Sequence, residues 1–341
     1  VRFWRGLKAG LSKPARYLAL LAGALPVLAF PALNLEWLAW FGLVPGLLLI
    51  RASPTRREAI VRAWWFGTGY LLVGQYWLAP NLGPALLLAA AVVGVLQVIT
   101  GIAVWHLTRP PLTVRRALAA IAVVPSAWLL TEWIRSYQGL GGPWAVFGTS
   151  QWQHPVFLAL AAVGGVWLLS FALVMANTGI VIALVGRGTA VRAVGAAAVL
   201  AAVLAGPLAF ALTPPPPTTG HITLALVQPG TMPGSTGRQQ GETLAAEEPL
   251  TAGPAKGADL IVWGETSVSY YLPRYPAILR KLERLSAADH AQILVNQDAR
   301  NARGAVSKAA VLIGPGGIDG TYVKTRLVPF GEYIPFRSVL G

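Results

Sequence analysis

Between residues 17 and 212 the chain is almost unbroken apolar sequence, interrupted only by short loops. Seven blocks stand out, at 17–33, 35–50, 63–79, 84–107, 117–134, 156–184 and 190–212. A helix needs ~20 mostly apolar residues to cross the hydrocarbon core of a bilayer. Residues 1–212 are therefore read as a polytopic α-helical membrane domain with about seven transmembrane helices. Pro26, Pro31 and Pro45 fall in the first two blocks and are expected to kink or end them. Arg2, Arg5 and Lys8 precede the first block as in a signal peptide, but a second apolar block follows at once where a polar mature chain should begin. The first block is read as a membrane helix.

The formal net charge of +14 invites a nucleic-acid reading, and its distribution argues against one. Residues 1–212 hold 15 Lys/Arg against three acidic residues, whereas 213–341 hold 12 against 10. A nucleic-acid face would gather its cations on the soluble part, so no nucleic acid is expected. With the N-terminus inside, the loops 1–16, 51–62, 108–116 and 185–192 carry 14 basic residues, and the opposite loops carry only Arg135. This is the positive-inside pattern, and seven crossings then place residue 213 onward on the far side. The chain has no cysteine, which removes disulfides and thiolate metal sites. His106, His154, His221 and His290 are far apart in sequence, so no metal is expected.

Four consecutive prolines in 213–220 cannot continue a helix and favour an extended spacer. Beyond this linker, 221–341 reads as α/β. Strands are predicted at His221–Gln228, Asp259–Trp263, Gln292–Asn296 and Ala309–Ile313, with a helix over Arg274–Asp289. The Gly314-Pro315-Gly316-Gly317 stretch predicts a turn into a further strand over Ile318–Thr325.

Three residues of this part could carry chemistry. Glu265 follows the strand ending in Trp263, and a carboxylate at a strand's C-terminal end is well placed to meet a substrate. Its apolar neighbours suit a desolvated general base, although a solvated loop residue has the same local sequence. Lys324 ends a hairpin strand, where it is either an oxyanion donor or an exposed lysine. Glu332 is either a supporting carboxylate or a turn residue. In the membrane half, the loop 135–155 holds Tyr137, Trp144, Phe147 and Trp152. They read as an interfacial aromatic belt or as a lipid gate, with Trp144 the best gate candidate.

In order, Trp263-Gly264-Glu265-Thr266, then Tyr322-Val323-Lys324, then residues 327–335 (LVPFGEYIP) resemble the nitrilase superfamily. Glu132-Trp133-Ile134-Arg135, Gly142-Pro143-Trp144, Gly148-Thr149-Ser150-Gln151, Phe171 and Asn177 are similar to its membrane-anchored branch, the apolipoprotein N-acyltransferases. The resemblance spans most of 15–341. It implies an incomplete nitrilase-like α/β domain (αββα sandwich) over 221–341. It also implies acyl transfer from a phospholipid to the α-amine of a diacylglyceryl-cysteine in a bacterial apolipoprotein, through a thioester and without a cofactor. Glu265 would then be the general base, Lys324 the oxyanion donor and Glu332 a supporting carboxylate, with Trp144 and Tyr333 on the substrate side. Phospholipid donor, diacylated apolipoprotein and membrane lipids would be its partners. The location implied is the bacterial cytoplasmic membrane, with the soluble domain outside.

Two departures stand against that pattern. Gly264 occupies a position where the family usually has Pro. The family's cysteine nucleophile lies downstream of the Pro-Phe-Gly-Glu element, and the nearest hydroxyl in the tail, Ser338, has no nucleophile turn around it. The expectation is a truncated chain, inactive alone. The alternative is a non-catalytic membrane anchor or partner of another lipid-handling enzyme, such as a polyprenyl-phosphate mannosyl transferase. A transporter and a membrane-tethered amidase fit the chain less well.

Overall fold

A computed structural model describes residues 14–137, 142–214, 217–230, 237–253, 255–300, 306–325, 327 and 332. The chain divides into two compact units at Pro215/Pro216, the second running to Leu327.

The first unit is helical. Its elements are α1 (Pro14–Ala29), α2 (Val44–Arg51), α3 (Arg56–Gly74), α4 (Ala85–Thr108), α5 (Val114–Arg135), α6 (Pro155–Val185) and α7 (Thr189–Leu212). Among the described residues, α4 to α7 are long and apolar enough to cross a membrane. The first two predicted blocks are broken where proline dictates. The last five residues of α1 tighten into a 3₁₀ turn that starts beside Pro26, and α2 has only eight residues, with Pro45 in its first turn. Eight residues rise only ~12 Å, well short of a bilayer core. The third block also differs from expectation. Helix α3 begins at Arg56, seven residues earlier than the apolar run, because Thr55 caps it by accepting the Glu58 amide at 3.2 Å. Its first turns carry Arg56, Arg57, Glu58 and Arg62, which the sequence reading placed in a loop. Glu58 offsets part of that charge by accepting from Arg16 (2.8 Å) and Arg62 (3.2 Å).

Small residues let these helices approach closely. A Cβ on Gly23 would lie 2.0 Å from the Phe66 carbonyl, and one on Gly69 would lie 2.0 Å from the Leu20 carbonyl, so α1 and α3 touch backbone to backbone. Gly179 of α6 and Gly195 of α7 pair in the same way. Tyr70, Trp128 and Phe147 form the buried aromatic centre of the unit.

The second unit has five strands: β1 (Leu224–Val227), β2 (Leu260–Trp263), β3 (Gln292–Arg300), β4 (Val306–Gly314) and β5 (Gly317–Val323). They form one mixed sheet in the order β1-β2-β3-β4-β5. The first three are parallel, joined through α8 (Gly237–Thr251) and α9 (Pro276–Asp289), and β3-β4-β5 is an antiparallel meander. Leu244 of α8 and Leu282 of α9 pack with Ile261, Trp263, Ile293, Val295, Val311 and Ile313, so both helices cover one face. On the other face, Leu224, Leu226 and Tyr322 are exposed, and Leu260, Val262, Leu294 and Leu312 are half-buried. An antiparallel sheet normally alternates apolar-in with polar-out. Here the side away from the helices is apolar as well.

Candidate active site

Glu265 is positioned by β2 and by the stitching of the next three residues to β3. The indole N–H of buried Trp263 donates to Thr251 Oγ1 of α8 at 2.9 Å, fixing the end of β2. The chain then turns through Gly264, Glu265 and Thr266, with Thr266 at φ +60°. A left-handed conformation is costly for a β-branched residue, and here the turn is held from β3. The Thr266 amide donates to Asn296 Oδ1 at 2.8 Å. Ser267 Oγ accepts from the Asn296 amide (2.9 Å) and donates to the Asn296 carbonyl (3.3 Å). The Val268 amide reaches the Asn296 carbonyl and its carbonyl receives the Asp298 amide. The Glu265 side chain is 70% exposed, so it is not desolvated by apolar neighbours as its sequence context suggests.

Lys324 lies one residue beyond β5. Its amide donates to the Lys308 carbonyl at 2.8 Å, which continues the β4–β5 register one step past Ala309 opposite Val323. Directly opposed residues of an antiparallel pair share a face. Lys324 is therefore on the face of Lys308, and Lys308 is opposite Asp298 of β3. One irregularity decides this. The β4–β5 register shifts by one residue between Leu312 and Ile313, a β-bulge near the turn. Without it Val323 would stand opposite Lys308, and Lys324 would fall on the other face.

Because β5 runs parallel to β3, and β3 to β2, the chain positions of Glu265 and Lys324 lie at one end of the sheet, beyond the C-terminal ends of the parallel strands. Asp298 and Lys308 belong to the same end. The Lys308 ammonium lies 3.2 Å from Asp298 Oδ2 and 3.5 Å from Glu265 Oε1, and its side chain is only 11% exposed. Asp298, Lys308 and Asn296 were not singled out from the sequence. Their one legible signal is polar residues interrupting a β-branched and apolar alternation. Glu332 lies in a turn, half-buried, past the Leu327 boundary of this unit. Tyr333 and Ser338 lie outside the described residues.

Trp144 belongs to the helical unit and is carried by a loop that is fastened from below. Ala145, at φ +52°, offers its carbonyl to Tyr70 Oη (2.8 Å) and to the Arg135 guanidinium (3.0 Å). The Phe147 amide donates to Glu132 Oε1 at 2.7 Å, and the Trp128 indole donates to the same oxygen at 2.9 Å. Ser170 Oγ accepts the Gly148 amide, and Gln151 reaches the Glu36 carbonyl. Trp144 itself is exposed and packs on Trp77, ring centres 4.8 Å apart. Tyr137 and Trp152 are exposed too, but Phe147 is fully buried and belongs to the core, not to an interfacial belt. Asn177 ties two segments together, accepting the Leu43 amide (2.9 Å) and donating to the Ala39 carbonyl (2.9 Å). The polar residues that resembled a family pattern are thus mostly loop fasteners.

Residues 22–179 match the family model of the apolipoprotein N-acyltransferase N-terminal domain. Over 96% of its length, the chain is 33% identical to an apolipoprotein N-acyltransferase of Azotobacter vinelandii, of which it covers 66%. It is 29% identical to proteins of that name from Chlorobaculum tepidum and Pseudomonas putida, with the same coverage. The chain thus spans just under two-thirds of the length of these relatives. With matches running along both the helical unit and the sheet that carries Glu265 and Lys324, the chain belongs to the apolipoprotein N-acyltransferase family.

Proposed function

We propose that the protein containing this chain acylates bacterial lipoproteins, moving an acyl chain from a phospholipid to the α-amine of a diacylglyceryl-cysteine. The observation that carries this reading is the sheet topology, which brings Glu265 and Lys324 to the same end of the sheet although 59 positions separate them in the sequence. In the proposed scheme a thiol gives its proton to Glu265 as the sulfur attacks the ester carbonyl of the phospholipid. Lys324 stabilises the tetrahedral oxyanion, and the lysophospholipid alkoxide leaves with the proton that Glu265 returns. The lipoprotein amine then attacks the thioester, Glu265 takes the amine proton, and the thiolate departs. Dividing one acyl transfer into two steps lowers the barrier of each. Glu332 is a supporting carboxylate in this scheme, and Trp144 and Tyr333 face the lipid substrates.

The nucleophile must come from elsewhere, because these 341 residues contain no cysteine. Accordingly the 341 residues alone are proposed to be inactive. The exposed apolar face of the sheet supports a nitrilase-like αββα arrangement, in which a second sheet would cover it. The loop charges and the four long apolar helices support a multi-pass protein of the bacterial cytoplasmic membrane, with domain boundaries near 212 and 221 and the sheet unit on the extracytoplasmic side.

The test is acyl transfer to a diacylated lipopeptide in membranes, using the longest natural gene product that contains these residues. Glu265→Ala and Lys324→Ala should each lower the rate, the latter by ~10²–10³-fold as for other oxyanion donors. Unchanged transfer in both variants refutes the site.

A further inference from the structure

The Gly264–Ser267 turn is tied to β3 through its backbone, but those bonds begin at Thr266 and leave the Glu265 side chain projecting into solvent. Gly264 adds no restraint, since nothing lies within 4 Å of where its Cβ would be. Among the described residues, the contact that reaches the carboxylate is Lys308. We infer that Lys308 is a positioning residue for Glu265, with its own ammonium fixed by Asp298.

Three observations carry this. First, Lys308 is 11% exposed while its partner Glu265 is 70% exposed, so the lysine is the buried member of the pair and the carboxylate the solvent-facing one. Second, Lys308 is held from its other side. Asp298 is its cross-strand partner and approaches to 3.2 Å, so one ammonium bridges a strand residue and a loop residue. Third, Lys308 stands opposite Lys324 in the sheet. Like charges directly opposite are destabilising, and two carboxylates around Lys308 offset that repulsion. A general base must lie within hydrogen-bond reach of the proton it takes, and a misplacement of about 1 Å can cost ~10²-fold in rate. Holding the carboxylate at the sheet end that carries Lys324 is the task the geometry gives to Lys308.

The inference rests on the proposed role of Glu265, and the experiment separates the two. Acyl transfer to the diacylated lipopeptide would be measured in the longest natural gene product for Lys308→Met, Lys308→Arg, Glu265→Gln and the Lys308→Met/Glu265→Gln double variant. Thermal unfolding of each variant would be followed alongside. Lys308→Met should lower kcat by ~10–10²-fold with little change in KM for the phospholipid. Lys308→Arg, which keeps the charge and the reach, should recover most of the loss. In the Glu265→Gln background, Lys308→Met should have no further effect, because there is no carboxylate left to position. An inactive Glu265→Gln with a fully active Lys308→Met overturns the inference and leaves the role of Glu265 standing. Full activity in Glu265→Gln removes both. A loss in Lys308→Met that Arg does not recover, or that persists in the Glu265→Gln background, assigns Lys308 a purely structural role and also overturns the inference.

Discussion

Beneath Trp144 the loop is gripped by buried side chains. Tyr70 and Arg135 reach the Ala145 carbonyl, and Glu132 takes both the Phe147 amide and the Trp128 indole. Beneath Glu265 the turn is held by hydrogen bonds to β3, and the side chain by one partly exposed ion pair. A buried polar group must be satisfied or costs ~1–3 kcal/mol, so the first arrangement is rigid and intolerant of change. An exposed pair is worth only ~0–1 kcal/mol, so the second holds a carboxylate in place while leaving it open to substrate. Both loops carry a residue proposed to face substrate. The difference suits a platform in one case and a solvent-facing proton carrier in the other.

The largest blow to this contrast should come from Glu132→Ala. It strands the Phe147 amide and the Trp128 indole together in the core, and ~3–5 kcal/mol of stability should be lost in detergent unfolding. A loss below 1 kcal/mol would mean that the Trp144 loop is not pinned from beneath.

Glu247 offers the next test, because it is a buried acid in the sheet unit with no donor to its inner oxygen among the described residues. Burial pushes its carboxyl up to about 8 from 4.5. Between those values the unfolded chain is ionised while the folded unit keeps the proton. Its contribution to stability is therefore greatest below pH 4.5, declines as pH rises, and levels off above pH 8. Between pH 5 and pH 8 the decline should be roughly 3 kcal/mol, and Glu247→Gln should flatten it. Thermal unfolding at pH 5 and pH 8 distinguishes the two slopes.

A deletion of Thr321 addresses the sheet end directly. Removing one residue of β5 between the bulge and Lys324 leaves Gly320 opposite Leu312 and should bring Lys324 opposite Ala309, on the face that packs against the helices. Acyl transfer should then fall by ~10²-fold with the sheet still folded by circular dichroism. The smallest effect is expected of Asn296→Ala, which removes the acceptor for the Thr266 amide. That amide should exchange ~10-fold faster with solvent, in line with ~1 kcal/mol for one hydrogen bond, while global stability moves little.

Much of this architecture is legible in the chain because the signals are local. The Thr55–Glu58 cap of α3 is as local, although the sequence reading put 51–62 in a loop. The apolar runs at 84–107, 117–134, 156–184 and 190–212 all became helix, the third kinked at Gly164 and Gly165, and β-branched runs became strands within a few residues of their expected limits. Prolines at 26, 31 and 45 likewise announced broken helices at the N-terminal end. Glu265 and Lys324 stood out only through their order with neighbouring motifs, since each alone reads as an exposed loop residue.

What the sequence determined by itself is therefore the partition into an apolar helical part and an α/β part, and the identity of two charged candidates. Periodicity, proline geometry and charge asymmetry act over a few residues and need no partner. Whether those two candidates share a face was decided by the tertiary structure alone. A single bulge between Leu312 and Ile313 sets the β4–β5 register, and a shift of one residue moves every later side chain to the opposite face. The same pairing brought in Lys308 and Asp298, which no local pattern marks as partners of Glu265.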